Sequence, residues 1–161
     1  MSCPLCAKVE DALAGRGEPA LAIWPACVVF LGENQGCPGW CVVVTREHVE
    51  HLDDVPVREQ GRLFEDVAVV ARAIRAAFPQ AGAGGGPVRI NYECLGNVVP
   101  HAHWHVVPRH ADDPTPRAPV WGWTPERLRG AMTTEERAAL HARMAKAIDA
   151  AERETAVERI S

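Results

Sequence analysis

Residues 100–109 read Pro100-His101-Ala102-His103-Trp104-His105-Val106-Val107-Pro108-Arg109, with a histidine at every second position from 101 to 105. In a β-strand successive side chains point to opposite faces, so residues two apart share one. The three histidines therefore stand on one side, at steps of about 6.5–7 Å, while Ala102, Trp104 and Val106 turn toward a core. Imidazoles gathered this way need hydrogen-bond partners, and their charges would repel if all were protonated. Ordinary half-exposed histidines on a sheet surface are the plain reading of such a row; three in strict alternation argue instead for one of two chemistries. A His-x-His pair on a strand can chelate zinc, as histidine triplets do in zinc hydrolases. Alternatively, one ring takes a phosphoryl group while a neighbour handles protons.

Signals on either side place this strand in an antiparallel sheet. Residues 20–24, 27–31 and 40–45 read as strands, the first two broken near Pro25 and the last two separated by the turn Gly32-Glu33-Asn34-Gln35-Gly36. Residues 57–78 predict a helix, because Leu63, Val67, Val70 and Ile74 recur at helical spacing as one apolar stripe. The glycine-rich stretch 80–87 lacks the lysine and hydroxyl residue of a phosphate-binding P-loop and reads as a loop. Residues 88–92 and 102–108 give two further strands, joined by a turn containing Gly96-Asn97. Residues 112–123, crowded with proline and tryptophan, read as an extended arm. Thr133 and Glu136 form a capping box ahead of a helix to about residue 154, with Leu140, Met144, Ile148 and Ala151 as its stripe. The first twenty residues show little pattern. The expected fold is α+β: an antiparallel sheet of about five strands with one long helix and a C-terminal helix.

At 161 residues, 47% hydrophobic and 24% charged, the chain predicts one domain with a sizeable core. A net charge of −4 without a basic patch argues against a nucleic-acid backbone as partner, but is compatible with a small phosphorylated ligand. The apolar run 23–31 contains Pro25 and is too short to span a bilayer, so no membrane association is expected. The first residues lack a basic segment followed by an apolar one, which predicts a cytoplasmic protein. In that compartment the six cysteines are thiols or metal ligands rather than disulfides. Cys27, Cys41 and Cys94 lie in strand-like stretches and read as buried small hydrophobes; Cys37 lies in a loop.

The segment His101 to Val107 resembles the histidine triad (HIT) motif, His-x-His-x-His followed by two apolar residues, and matches it throughout. Ile90-Asn91-Tyr92, Gly96-Asn97, the strand Val42-Val43-Val44-Thr45-Arg46-Glu47-His48 and the Pro119-Val120-Trp121 arm resemble their counterparts in dinucleoside polyphosphate hydrolase-like and nucleoside phosphoramidase-like members. The likeness covers residues 3–123, leaving 124–161 as a helical extension. Thr45 replaces a common proline, Asn97 a common glutamine, and Val98 a serine or threonine found in some members.

The resemblance implies attack by His103, the middle histidine, on the α-phosphate of a nucleotide, with a phosphohistidine intermediate that water resolves. An imidazole with its usual pKa near 6.5 is a competent nucleophile at pH 7 once a neighbour fixes its tautomer, and the family uses a backbone carbonyl for this. His105 is implied as a phosphoryl contact acting when charged, His101 as the triad's first member, and Asn91 and Asn97 as ribose or phosphate contacts. A purine nucleotide is the implied ligand, and a dinucleoside polyphosphate such as diadenosine tetraphosphate, a nucleoside phosphoramidate, an adenylylated amine and a nucleotide sugar all stay open as substrates. No organic cofactor is implied, and a homodimer through the long helix and the sheet is. Two rivals stay open: a zinc-dependent hydrolase with all three triad histidines around one ion, and a nucleotide-binding module without turnover.

Cys3-Pro4-Leu5-Cys6 has the spacing that lets two thiolates reach one tetrahedral ion. A subgroup of HIT proteins completes this site with the residues corresponding to His48 and His101, which implies a structural Zn2+ held by Cys3, Cys6, His48 and His101. His51 competes with His48 for that place. His110 and His141 have no motif around them and read as surface residues.

Overall fold

The computed structural model describes residues 3–79 and 89–158. Elements follow in the order α1 (Pro4–Leu13), β1 (Ala22–Ile23), β2 (Cys27–Leu31), β3 (Cys41–Thr45), α2 (Val57–Ala77), β4 (Arg89–Glu93), β5 (His103–Arg109), α3 (Pro125–Arg129) and α4 (Thr134–Glu158). The five strands form one sheet in the order β1-β2-β3-β5-β4, with every neighbouring pair antiparallel. This is the α+β architecture that the strand and helix signals predict.

The sheet separates two environments. On one face Cys27, Val29, Leu31, Cys41, Val43, Ala102, Trp104 and Val106 pack against the stripes of α2 and α4. Leu63, Val67, Val70 and Ile74 of α2 and Leu140, Met144, Ile148 and Ala151 of α4 are all buried, as their spacing requires. The capping box closes reciprocally: Glu136 N–H donates to Thr133 Oγ1 (3.2 Å) and Thr133 N–H to Glu136 Oε2 (2.8 Å). On the other face Val28, Phe30 and Val44 receive Val9 and Ala12 of α1, and here the triad histidines stand.

Four expectations are corrected. The N-terminal segment is a helix, α1, started by Pro4 in its first turn with Cys3 as cap; Leu5, Val9 and Ala12 give it a short apolar stripe that the cysteines and charges around them conceal. The arm at 112–123 is not simply extended: it holds a 3-10 turn, Val120–Gly122, and leads into α3, capped by Thr124. Cys94 is exposed because β4 ends at Glu93, one residue before it, whereas Cys27, Cys37 and Cys41 are buried. His110 and His141 are half-buried, each hydrogen-bonded to a backbone carbonyl, of Pro38 and Pro19 respectively. Residues 80–88, read as a loop and the start of a strand, lie outside the described residues.

Candidate active site and metal centre

The register of β5 against β3 sets the site. Val42 faces His105 and Val44 faces His103 across the ladder, so these four side chains share the α1 side of the sheet. A cavity of about 210 Å³ opens there, lined by His103, His105, Trp40, Val42, Val44, Phe30, Val99 and Asn34, with Leu5 and Lys8 of α1 as one wall. Leu5, Phe30, Val42, Val44 and Val99 make much of this wall apolar, Lys8, Glu33 and Asn34 add polar groups at it, and the histidines supply its reactive nitrogens.

Each triad ring is held differently. His103 Nδ1–H donates to the backbone carbonyl of His101 at 2.6 Å, which places the lone pair on Nε2. His101 is fully buried; its Nε2–H donates to the Thr45 carbonyl (2.9 Å), leaving Nδ1 to face Cys3 Sγ (3.4 Å) and Cys6 Sγ (3.5 Å). Burial holds the His101 pKa below the usual histidine value. His105 Nδ1 accepts a hydrogen bond from Trp40 Nε1–H at 3.2 Å. Burial, and then the neighbouring His103, push its pKa down to about 4, so in the free protein the ring is neutral at pH 7.

Cys6 Sγ lies 3.3 Å from His48 Nδ1, and the ligand atoms of Cys3, Cys6, His48 and His101 all fall within 4.8 Å of one another. Two thiols and two imidazole nitrogens at that spacing suit a tetrahedral Zn2+, whose bonds run about 2.0–2.3 Å. His101 is also oriented from behind, by the Thr45 carbonyl. His51 is exposed and caps the 3-10 turn Leu52–Asp54 instead. The three triad histidines form no comparable group among the described residues: one nitrogen of each is already engaged, by Thr45, by the His101 carbonyl and by Trp40.

Asn91 and Asn97 are not among the residues that line this cavity. Asn97 is exposed in the turn before β5, and Asn91 Oδ1 accepts from Arg109 Nη1 at 3.1 Å. No local sequence pattern marks Arg109 as a bracing residue. It is buried, paired with Asp113, and donates to the carbonyls of Ala118 and Thr115 at 2.9 Å each, pinning the arm to β5. Arg109→Lys keeps a charge but loses the planar fork, leaving buried carbonyls without donors at a cost of about 1–3 kcal/mol; a melting temperature lowered by several degrees in calorimetry is the expected outcome, and an unchanged one rejects the bracing role. No motif marks Trp40 either, although it stands two residues before Val42 and so on the histidine face.

A family model for the HIT domain matches residues 21–112 of the chain. The chain belongs to the HIT family. This HIT protein is 30% identical over 83 residues to the protein called Protein hit from Bacillus subtilis strain 168, a match that spans 52% of the chain and 56% of that relative's length. Among solved structures, a histidine triad protein from Marinobacter aquaeolei VT8 superposes with a TM-score of 0.68 at 25% identity, covering 81% of this chain and 88% of that one. A zinc-bound histidine triad family protein from Mycobacterium smegmatis superposes at 0.59 with 23% identity, over 93% and 98%. A hypothetical histidine triad nucleotide-binding protein from Sulfolobus tokodaii strain 7 gives 0.69 at 16% identity, over 92% and 95%. No helix among the described residues is long and apolar enough to cross a membrane.

Proposed function

We propose that this HIT protein is a nucleotide hydrolase or nucleotidyl transferase that attacks the α-phosphate of a dinucleoside polyphosphate or nucleoside phosphoramidate through His103. The observation that carries the reading is the 2.6 Å bond from His103 Nδ1–H to the His101 carbonyl. A neutral imidazole has one lone pair, and this bond assigns it to Nε2, on a ring that lines the cavity. Attack forms an Nε2–phosphorus bond as the bond from the α-phosphorus to the leaving oxygen or nitrogen breaks, its electron pair departing with that atom; water, or another acceptor, then displaces the histidine and releases the nucleotide.

His105 supports the transition state as a hydrogen-bond donor, since Nδ1 is occupied by Trp40 and the ring hydrogen resides on Nε2. Leu5, Phe30, Val42 and Val44 form an apolar wall suited to a purine. Asn97 stays a candidate phosphate contact because it lies two residues from Val99, a cavity-lining residue. Cys3, Cys6, His48 and His101 would hold a structural Zn2+, which ties α1 and the start of β5 together. A homodimer is supported by the outer edge of β4, which has no neighbour among the described residues, and by exposed Phe64 and Tyr92.

The direct test is capture of the intermediate. Protein mixed briefly with an α-phosphate-labelled dinucleotide and quenched in alkali, where a phosphorus–nitrogen bond on histidine survives, should carry a nucleotidyl group on the peptide containing His103. Product formation without any labelled peptide, even at the earliest quench times, rejects the covalent route.

A further inference from the structure

His105 is held by an indole that leaves it no freedom of tautomer. Trp40 Nε1–H donates to its Nδ1 at 3.2 Å, and Trp121 stands edge-on to both rings, its centroid 5.0 Å from His105 and 5.4 Å from Trp40. Trp40 has little room to move: it is 1% exposed and packed with Cys37, Val107 and Val120. Its backbone is fixed too. Buried Gln35 donates from Nε2 to the Trp40 carbonyl (2.9 Å) and accepts the Gly39 N–H on Oε1 (2.9 Å). Gly39 has a φ of 94°, and a Cβ there would lie 2.5 Å from the Phe78 ring, so the turn that delivers Trp40 requires glycine.

An indole nitrogen donates and cannot accept. Its bond leaves Nδ1 of His105 without a proton, places the ring hydrogen on Nε2, and gives no path for a proton to arrive from behind. We propose that Trp40 is a positioning residue that locks His105 as a neutral Nε2–H donor, and that the site therefore selects leaving groups that depart as anions, phosphoanhydrides over phosphoramidates. The inference rests on the reading of His103 as nucleophile.

The proton balance makes the selectivity. The Nε2 lone pair of His103 forms a bond to the α-phosphorus while the bond from phosphorus to the leaving atom breaks, its electron pair going to that atom; the Nδ1 hydrogen stays on His103. In an anhydride the leaving oxygen becomes part of a phosphate, which is stable as an anion near pH 7, and the His105 N–H need only hydrogen-bond to it. In a phosphoramidate the leaving nitrogen must gain a proton to depart as a neutral amine. His105 could supply one only as an imidazolium, because giving up its single N–H would leave an imidazolate.

The groups facing His105 do not restore that cation. His103, on the same strand with its ring 5.0 Å away, adds like charge if protonated. Glu93 lies opposite His105 on β4, and Trp121 Nε1–H donates to its carboxylate. Lys8 and Glu33 reach the same cavity, Lys8 from α1 and already paired with Glu18 at 3.0 Å. With the pKa of His105 pushed down to about 4 in the free protein, about one ring in a thousand is charged at pH 7 before substrate binds.

Two measurements on the full chain test this. Wild-type protein should cleave diadenosine tetraphosphate at least about a hundredfold more efficiently, in kcat/KM, than an adenosine phosphoramidate at pH 7, the low end of what general-acid catalysis supplies. Trp40→His, whose ring can both take and return a proton, should narrow that ratio at least tenfold by raising the phosphoramidate rate. In parallel, ring-nitrogen NMR of the histidine-labelled protein should show His105 as the Nε2–H tautomer with no titration above pH 5, and Trp40→Phe should move its titration upward. A wild-type protein that cleaves the phosphoramidate as well as the anhydride, or a His105 that titrates between pH 6 and 7, overturns the proposal; both readings need only the wild type, so a variant that misfolds does not shelter it. An inactive protein that still shows the Nε2–H tautomer separates the two ideas: the nucleophile reading falls and the lock on His105 stands.

Discussion

His103→Asn should reduce turnover of diadenosine tetraphosphate by about 10⁴-fold or more while leaving the fold intact and nucleotide binding within a few-fold of wild type. The magnitude follows from the role: loss of a covalent nucleophile removes the whole low-barrier route, whereas loss of a binding contact removes one interaction's worth of free energy. Asparagine is the informative replacement. It is smaller than the imidazole but carries an amide that can still donate to the His101 carbonyl, so the bond that anchors the start of β5 has a substitute. The two rivals raised by the sequence respond differently. A binding module without turnover gives no activity in either protein. A hydrolase with an ion bound by the triad loses wild-type activity to chelators at the same rate that metal leaves, and forms no histidine adduct. Retention of even a tenth of the wild-type rate in the variant, measured with enough protein to exclude contaminating phosphatase, ends the case for His103.

The fold was readable where one physical constraint acts on many residues together. The stripes of α2 and α4 stand out because each buries four side chains at helical spacing against the same sheet face. The triad strand stands out because two environments, cavity and core, alternate along it. Elements held by few residues were harder to see. The apolar stripe of α1 is only Leu5, Val9 and Ala12, and Cys3 gives it no side-chain cap bond. β1 has two paired residues, so its five-residue apolar segment overstates it. The site divides in the same way. His103, His101 and the cysteine pair follow from spacing and from family likeness. Trp40 and Arg109 act through contacts that depend on the β3–β5 register and on the path of the arm, long-range facts that no local pattern carries. The protonation of His105 in the free protein is set first by burial and then by the neighbouring His103, and the motif carries only the second of these.

Removing metal should lower the melting temperature of the protein by about 8–16 °C, and adding Zn2+ back should restore it. The estimate follows from linkage. Zinc at about a thousand times its dissociation constant adds about 4 kcal/mol to the folded state, and each kcal/mol shifts the midpoint of a chain this size by about 2–4 °C. The position of the ligands makes the effect local as well as global. Cys3 caps α1 and Cys6 sits in its first turn, and His48 and His101 lie just past β3 and just before β5, so one ion would staple the helix to two inner strands of the sheet. Without it α1 is held chiefly by Val9, Ala12 and Leu5 against Val28, Phe30 and Val44, and amide exchange in α1 should rise while the stripes of α2 and α4 stay protected. Leu5 and Lys8 of that helix also wall the cavity, so substrate KM should rise more than kcat falls. The double variant Cys3→Ser, Cys6→Ser should behave like the chelated protein and be unresponsive to added zinc. A purified protein that contains no zinc by elemental analysis, and whose melting point ignores both chelator and zinc, shows instead that the four side chains form a plain hydrogen-bonded cluster.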